Sequence, residues 1–125
     1  EPVVIIDAPP GTACPFIETV DDALLCVLVT EPTPFGLHDL SVAVDVLQVL
    51  KVPVAVVINR SDGNDSIIEG YCSEHSLPIL MKIPLDFTLL KKQNAGFLIS
   101  REDPEWSLRF SELGDKILAH ARGDV

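Results

Sequence analysis

Asp7 closes a run of four β-branched residues, Val3-Val4-Ile5-Ile6, and Ala8-Pro9-Pro10-Gly11 follows it. A carboxylate at the tip of a buried strand is held rigidly, so it can orient a Mg²⁺ ion through one of the ion's waters. The prolines stiffen the turn, and Gly11 lets a backbone N–H come close to a terminal phosphate. The same pattern also describes an ordinary strand-to-loop transition, and both readings stay open on these residues alone. Asn59 ends a second apolar run, Val54–Ile58. Its amide offers a donor and an acceptor in one plane, the geometry that pairs with the amino group and ring nitrogen of adenine. An Asn at that place equally serves as a turn former. Arg60 beside it either contacts phosphate or is solvated. A third stretch, Thr30-Glu-Pro-Thr-Pro-Phe-Gly36, carries two prolines that rule out regular hydrogen bonding. It is a shaped loop, either a partner contact or a tight connection.

The elements that must position these residues follow from hydrophobic pattern. Val3–Ile6, Leu24–Val29, Val54–Ile58 and Pro78–Ile83 are almost continuously apolar, which suits strands buried on both faces of a parallel sheet. Between them, Leu37–Leu50 has helical period, with Leu40, Val44, Leu47 and Leu50 on one face. Asp65–His75 reads as a shorter helix with Asn64 or Asp62 to cap it, and another short helix is expected around Asp86–Gln93. The last helix, Pro104–Arg122, has Asp103 as N-cap, Pro104 at its first position and Gly123 as its stop. Its stripe of Trp106, Phe110, Leu113 and Ile117 is read as core. The alternation predicts one α/β domain over residues 1–125. It is a parallel, doubly wound, Rossmann-like sheet of about four strands in three layers. Chemistry in such sheets sits at the carboxyl ends of the strands. Those ends are Asp7–Pro15, Thr30–Gly36, Asn59–Gly63 and Pro84–Asp86.

Composition excludes several functions. The formal charge is −10, from 19 acidic and 9 basic residues, so no basic face exists to neutralise nucleic-acid phosphates. The longest apolar runs are strand-length and too short to span a bilayer, so no membrane partner is expected. Three cysteines, Cys14, Cys26 and Cys72, without CxxC spacing, argue against a disulfide framework or zinc site and favour a reducing cytoplasm. His38, His75 and His120 fall in separate helices without metal-ligand spacing. Glu18, Asp21 and Asp22 read as a solvated acidic patch.

Taken together and in order, the chain resembles the MinD/Mrp/ParA superfamily of deviant P-loop ATPases. Within it the likeness is to the MinD-like ATPases that carry an inserted ferredoxin domain. The residues that carry it are IIDAPPGTACP (Ile5–Pro15), LVTEPTPFGLHDL (Leu28–Leu40), VPVAVVINR (Val52–Arg60) and ILMKIPLD (Ile79–Asp86). The resemblance implies that Asp7 is the Walker B carboxylate holding the Mg²⁺ shell and that Gly11 senses the γ-phosphate. It further implies that Asn59, with Arg60 beside it, reads the adenine end, and that Pro84 and Asp86 line the base pocket. It implies ATP and Mg as ligands and a homodimer that switches partners on hydrolysis. The partners implied are iron–sulfur or redox proteins, with a cluster as a candidate cofactor of the full-length protein. Cys14 lies seven residues after Asp7, the spacing at which nitrogenase iron-protein relatives place a cluster ligand. The alternative at Cys14 is a small, partly buried thiol packed by Pro15.

The departures limit this. None of Lys51, Lys82, Lys91, Lys92 or Lys116 sits in a GK[ST] core, so the phosphate-cradling loop has no counterpart here. The chain also opens without Met on an apolar run, as an excised fragment would, and the resemblance implies that it is the C-terminal half of a P-loop domain whose Walker A half lies elsewhere. The expectation is an ATPase as the full-length protein and inactivity for this chain alone. The competing expectation is a non-catalytic α/β interaction domain with a degenerate nucleotide site. The tail, Leu118–Val125, lacks the basic amphipathic membrane helix of MinD proper, and the charge argues against DNA segregation. A half-sheet should also leave an apolar edge exposed, to be covered by oligomerisation.

Overall fold

A computed structural model describes residues 2–124. Its framework is a parallel sheet of three strands in the order β1-β2-β3: β1 Cys26–Thr30, β2 Val54–Ser61 and β3 Ile79–Pro84. Cys26 pairs with Val54 and Thr30 with Ile58, in unbroken register. On the other side of β2, Val56 stands beside Ile79 and Ile58 beside Lys82, with register shifts between Val56 and Val57 and between Ile58 and Ser61. The period of two along β2 divides the core. Val56 and Ile58 face Leu40, Val44, Ile68 and Cys72, which come from α2 (Pro34–Leu50) and α3 (Ser66–Glu74). Ala55 and Val57 face the opposite way with Leu80, against Leu113 and Ile117 of α6 (Pro104–Ala121). β2 is thus buried on both faces, as its continuous apolar run requires.

The expected fourth strand is not formed. Val3–Ile6 pairs with no strand among the described residues, and its four side chains are 53–87% exposed. The physical reason is that a parallel strand has no ladder of its own. It needs a neighbour with a free edge in register and layers over both faces. Pattern alone marked this run as a strand; only a partner could make it one. β1 pairs with β2 alone, so its outer edge is open, and Leu24 and Val29 beside it are 72% and 65% exposed. α6 covers β3 and β2 but leaves Val29 bare.

The loop expected from Asp7 to Pro15 runs instead into a helix that the periodicity did not reveal, α1 Cys14–Val20. Its Phe16 and Val20 pack on Leu47 and Val52, extending the core beyond α2. α2 begins at Pro34, three residues before the expected Leu37, because Thr33 accepts the Gly36 N–H at 3.0 Å and Pro34 occupies the first turn. It ends on Lys51 in the left-handed region, φ 59°, with the Val52 N–H closing on the Leu47 carbonyl at 3.0 Å. α3 starts after Asp65 rather than under an Asn64 or Asp62 cap. α4 Phe87–Asn94 is capped by Asp86 and followed by a single turn, α5 Ile99–Glu102. α6 begins as expected, with Asp103 accepting from the Glu105 and Trp106 N–H groups. Of its apolar stripe Trp106 is buried, while Phe110, Leu113 and Ile117 are half-buried.

Gly36 is required by a close approach. A Cβ there would meet the Glu31 carbonyl oxygen at 2.0 Å. Gly36→Ala should therefore destabilise the fold by about 1–3 kcal/mol through forced movement of the β1–α2 loop. Gly70, inside α3, has open space around it, and Gly70→Ala should stabilise by up to about 1 kcal/mol through helix propensity. Urea denaturation of the two variants should shift the midpoint in opposite directions.

Candidate functional site

The parallel arrangement brings three of the four expected loops to one end of the sheet. Thr30 and Glu31 leave β1, Asn59–Ser61 end β2, and Pro84–Asp86 leave β3, side by side. Two contacts join them. Arg60 Nε lies 3.7 Å from Glu31 Oε1, both half-exposed, a pair worth little in energy but one that bridges the β1 and β2 tips. The Leu85 N–H donates to the Ser61 carbonyl at 2.9 Å, bridging the β2 and β3 tips. Thr30, only 7% exposed, donates its hydroxyl to the Gly36 carbonyl at 3.0 Å and so fixes the proline-rich loop to the first tip.

Within this row the expected site residues differ in freedom. Asn59 is half-buried, and its Oδ1 accepts the Arg60 N–H at 3.0 Å. A carbonyl oxygen has a second lone pair, so the amide keeps one acceptor position and both of its N–H donors. Arg60 is exposed and takes φ 53°, unusual for a residue with a long side chain. Pro84 is exposed at the end of β3. Asp86 uses Oδ1 to cap α4, accepting from Thr88 N–H at 2.8 Å and Leu89 N–H at 3.4 Å, and retains its second oxygen.

Asp7 and Gly11 are placed differently. Asp7 is exposed, and no hydrogen bond or ion pair among the described residues ties it to the strand-tip loops. Its neighbour Ala8 packs instead against Phe16, Val20, Leu47 and Val52. Gly11 has φ 88° with open space where a Cβ would be, so its conformation suits glycine and its backbone is accessible. For a Mg²⁺ ion the donor chemistry fits: one accessible carboxylate is what such an ion takes from a protein when phosphates and waters complete its shell.

An iron–sulfur cluster finds one suitable thiol. Cys14 opens α1 and is exposed rather than partly buried, because Phe16 and Val20 take the packed face of that short helix. Cys26 and Cys72 are half-buried and buried, and desolvation pushes both thiols above their ordinary value, away from the thiolate a cluster needs. Among the described residues no three His, Cys, Asp or Glu side chains are grouped to hold a metal ion. Nor is any described helix long and apolar enough to cross a membrane.

Sequence reasoning missed the polar centre beside this row. Asp65, 9% exposed, accepts the Ser61 hydroxyl at Oδ2 and the Asp62 N–H at Oδ1, 3.1 Å. Lys82 Nζ of β3 stands 3.6 Å from Asp65 Oδ2 and 2.9 Å from Glu69 Oε2. Burial alone would raise the Asp65 carboxyl; the Ser61 and Asp62 hydrogen bonds and Lys82 outweigh it and hold it below the ordinary value. The one available signal was a cluster of Ser61, Asp62, Asn64 and Asp65 directly after a strand, which reads first as turn chemistry.

No protein-family model matches the chain. Over an alignment of 140 positions, covering 97% of the chain, it is 31% identical to the iron-sulfur cluster carrier protein of Pyrococcus horikoshii, of which it spans 48%. It is 29% identical over 113 residues, 90% of the chain, to an uncharacterized protein of Methanocaldococcus jannaschii, of which it spans 38%. A second uncharacterized protein of that organism is 32% identical over 85 residues, 58% of the chain and 32% of the relative. The chain thus spans 32–48% of the length of these curated relatives.

The Asp65 carboxyl makes a signed prediction. Its folded-state value is depressed, so its contribution to stability is full above the ordinary value of 3.8 and is lost as pH falls below it. In Asp65→Asn the urea midpoint should start lower at about pH 7 and fall less on the way to about pH 3 than in the parent. Parallel acid limbs in the two proteins would show that Asp65 is not a source of the pH dependence.

Proposed function

We propose that this chain is the C-terminal part of a MinD-like P-loop ATPase domain, a nucleotide-dependent dimer switch that serves iron–sulfur or redox partners. The single observation that carries the reading is the likeness to an iron–sulfur cluster carrier over 97% of the chain. The geometry agrees with it: Asn59, Arg60, Pro84 and Asp86 stand on adjacent tips at the carboxyl end of a parallel sheet, where such folds bind ligands. The open outer edge of β1 and the unpaired, extended Val3–Ile6 run also fit a sheet completed by further strands.

In this reading Asp7 orients a water of the Mg²⁺ shell and the Gly11 backbone N–H lies against the terminal phosphate. The Asn59 amide meets the edge of adenine through its free N–H and the unused lone pair of Oδ1, while Arg60 neutralises phosphate and Pro84 and Asp86 wall the base. Mg-ATP, once bound, supplies the phosphoryl group whose loss resets the switch. The lysine loop and the attacking-water machinery belong to the Walker A half, so this chain by itself turns over no ATP. Cys14, exposed at the start of α1, is the cluster-ligand candidate. A single thiol cannot complete four-cysteine ligation, so a cluster there draws its remaining thiolates from outside these residues, as across a dimer axis.

A second reading, a non-catalytic α/β interaction domain, has one observation in its favour. Asn59 and Asp86 each already serve a local backbone hydrogen bond, which a purely structural role also explains. The two readings part on nucleotide binding by the complete protein that contains this chain. Calorimetric titration with Mg-ATP should show binding that Asp7→Asn and Asn59→Ala each weaken by roughly tenfold or more, on the scale of one lost polar contact at a base or metal. Titrations unchanged by both substitutions would leave the interaction domain as the surviving reading.

A further inference from the structure

Asp65 occupies the residue before α3 but does not behave as a helix cap. An aspartate there ordinarily turns its carboxylate onto the N–H groups of the first helical turn. This one makes no side-chain bond to its own helix. It turns back to Ser61 and Asp62 at the end of β2 and across to Lys82 on β3. The Ser61 carbonyl in turn accepts the Leu85 N–H, so Asp65, Ser61 and Leu85 form a chain of contacts from α3 through the β2 tip to the β3 tip.

The register shows what this controls. Ile58 is opposite Lys82 and Ser61 is opposite Pro84, so three steps along β2 match two along β3. The extra residue is accommodated at Asn59-Arg60, where Arg60 takes φ 53°. A bulge of this kind leaves one residue out of the ladder and re-aims its neighbours. Left-handed backbone at an arginine is strained and persists only when its surroundings over-determine it. The flanking anchors are Ile58, fully buried, and Ser61, held by Asp65.

We infer that Asp65 is the positioning residue of the base pocket: by clamping Ser61 it maintains the bulge that presents Asn59 toward the Pro84–Asp86 wall. Asp65 touches no ligand in this scheme and acts through Ser61. The inference rests on the nucleotide reading above, and Asn59 serves as the control that separates the two. Lys82 and Glu69 complete the arrangement by neutralising the carboxylate from the β3 side.

The test is the ratio of Mg-ATP to Mg-GTP affinity in the complete protein, measured by titration for Asp65→Ala, Asp65→Asn, Ser61→Ala, Asn59→Ala and Ile68→Val. Ile68→Val trims a buried α3 side chain in the core cluster that also holds Ile58 and provides destabilisation while leaving the Ser61, Asp62 and Asp65 hydrogen bonds in place. Asp65→Ala and Ser61→Ala should lower the ATP/GTP ratio by roughly tenfold, approaching the Asn59→Ala value, since one well-placed bidentate contact supplies discrimination of that order. Asp65→Asn retains an oxygen for the Asp62 N–H and a polar group for Ser61, and should recover most of the ratio. Ile68→Val should leave the ratio at the parent value. Should Asp65→Ala fail to fold, Ser61→Ala carries the test alone. A ratio lost in Asn59→Ala but retained in Asp65→Ala or Ser61→Ala overturns the positioning role and spares the nucleotide reading. A ratio unaffected by Asn59→Ala overturns both.

Discussion

The structure depends on the burial of β2. Ala55, Val56 and Ile58 are fully enclosed and Val57 nearly so, with two helices on one face and one on the other. A strand buried on both faces must satisfy every backbone group sideways, which obliges a neighbour on each edge. β1 and β3 meet that demand in parallel, and parallel pairing in turn places all three strand ends, with their loops, on the same side. The row of polar residues from Glu31 through Arg60 to Asp86 is therefore a consequence of how the core is enclosed.

Where β2 leaves the core, the chain exchanges apolar packing for a polar network. Ile58 is wholly buried and Arg60 exposed, so the transition takes two residues. Here the Arg60 N–H is taken by Asn59 Oδ1, the Asp62 N–H by Asp65 Oδ1 and the Ser61 carbonyl by the Leu85 N–H, all at short range. Buried networks of this sort have a single satisfied arrangement, and a rigid strand tip is the result. The same logic acts at β1, where Thr30 and the missing Cβ of Gly36 let the loop close tightly on Glu31.

The apolar surface is unevenly finished. Val3–Ile6, Leu24 and Val29 are exposed, and Phe35 and Phe87 stand 83% and 71% exposed on α2 and α4 near the strand tips. Surface of this extent is unusual for a chain that meets only water.

Hydrophobic period and helix punctuation were enough to read β1, β2, β3, α2, α3 and α6 to within a few residues, because each depends on local pattern and on caps such as Asp103. They also placed Asn59, Arg60 and Pro84–Asp86 at the carboxyl ends of parallel strands, although as loop residues, whereas β2 runs on through Asn59 and Arg60 to Ser61 and β3 includes Pro84. What the sequence could not decide was anything that needs a partner distant along the chain. Val3–Ile6 has the composition of a strand, yet a strand exists only when another edge accepts its hydrogen bonds. α1 was hidden because seven residues carry too little period to register, and Phe16 and Val20 declare themselves only against Leu47. Asp65 read only as the first residue of a helix because its significance comes from Lys82, seventeen positions later and on another strand. Local order is written in neighbouring residues; the tip of β2 took its shape from contacts that only folding brings within reach.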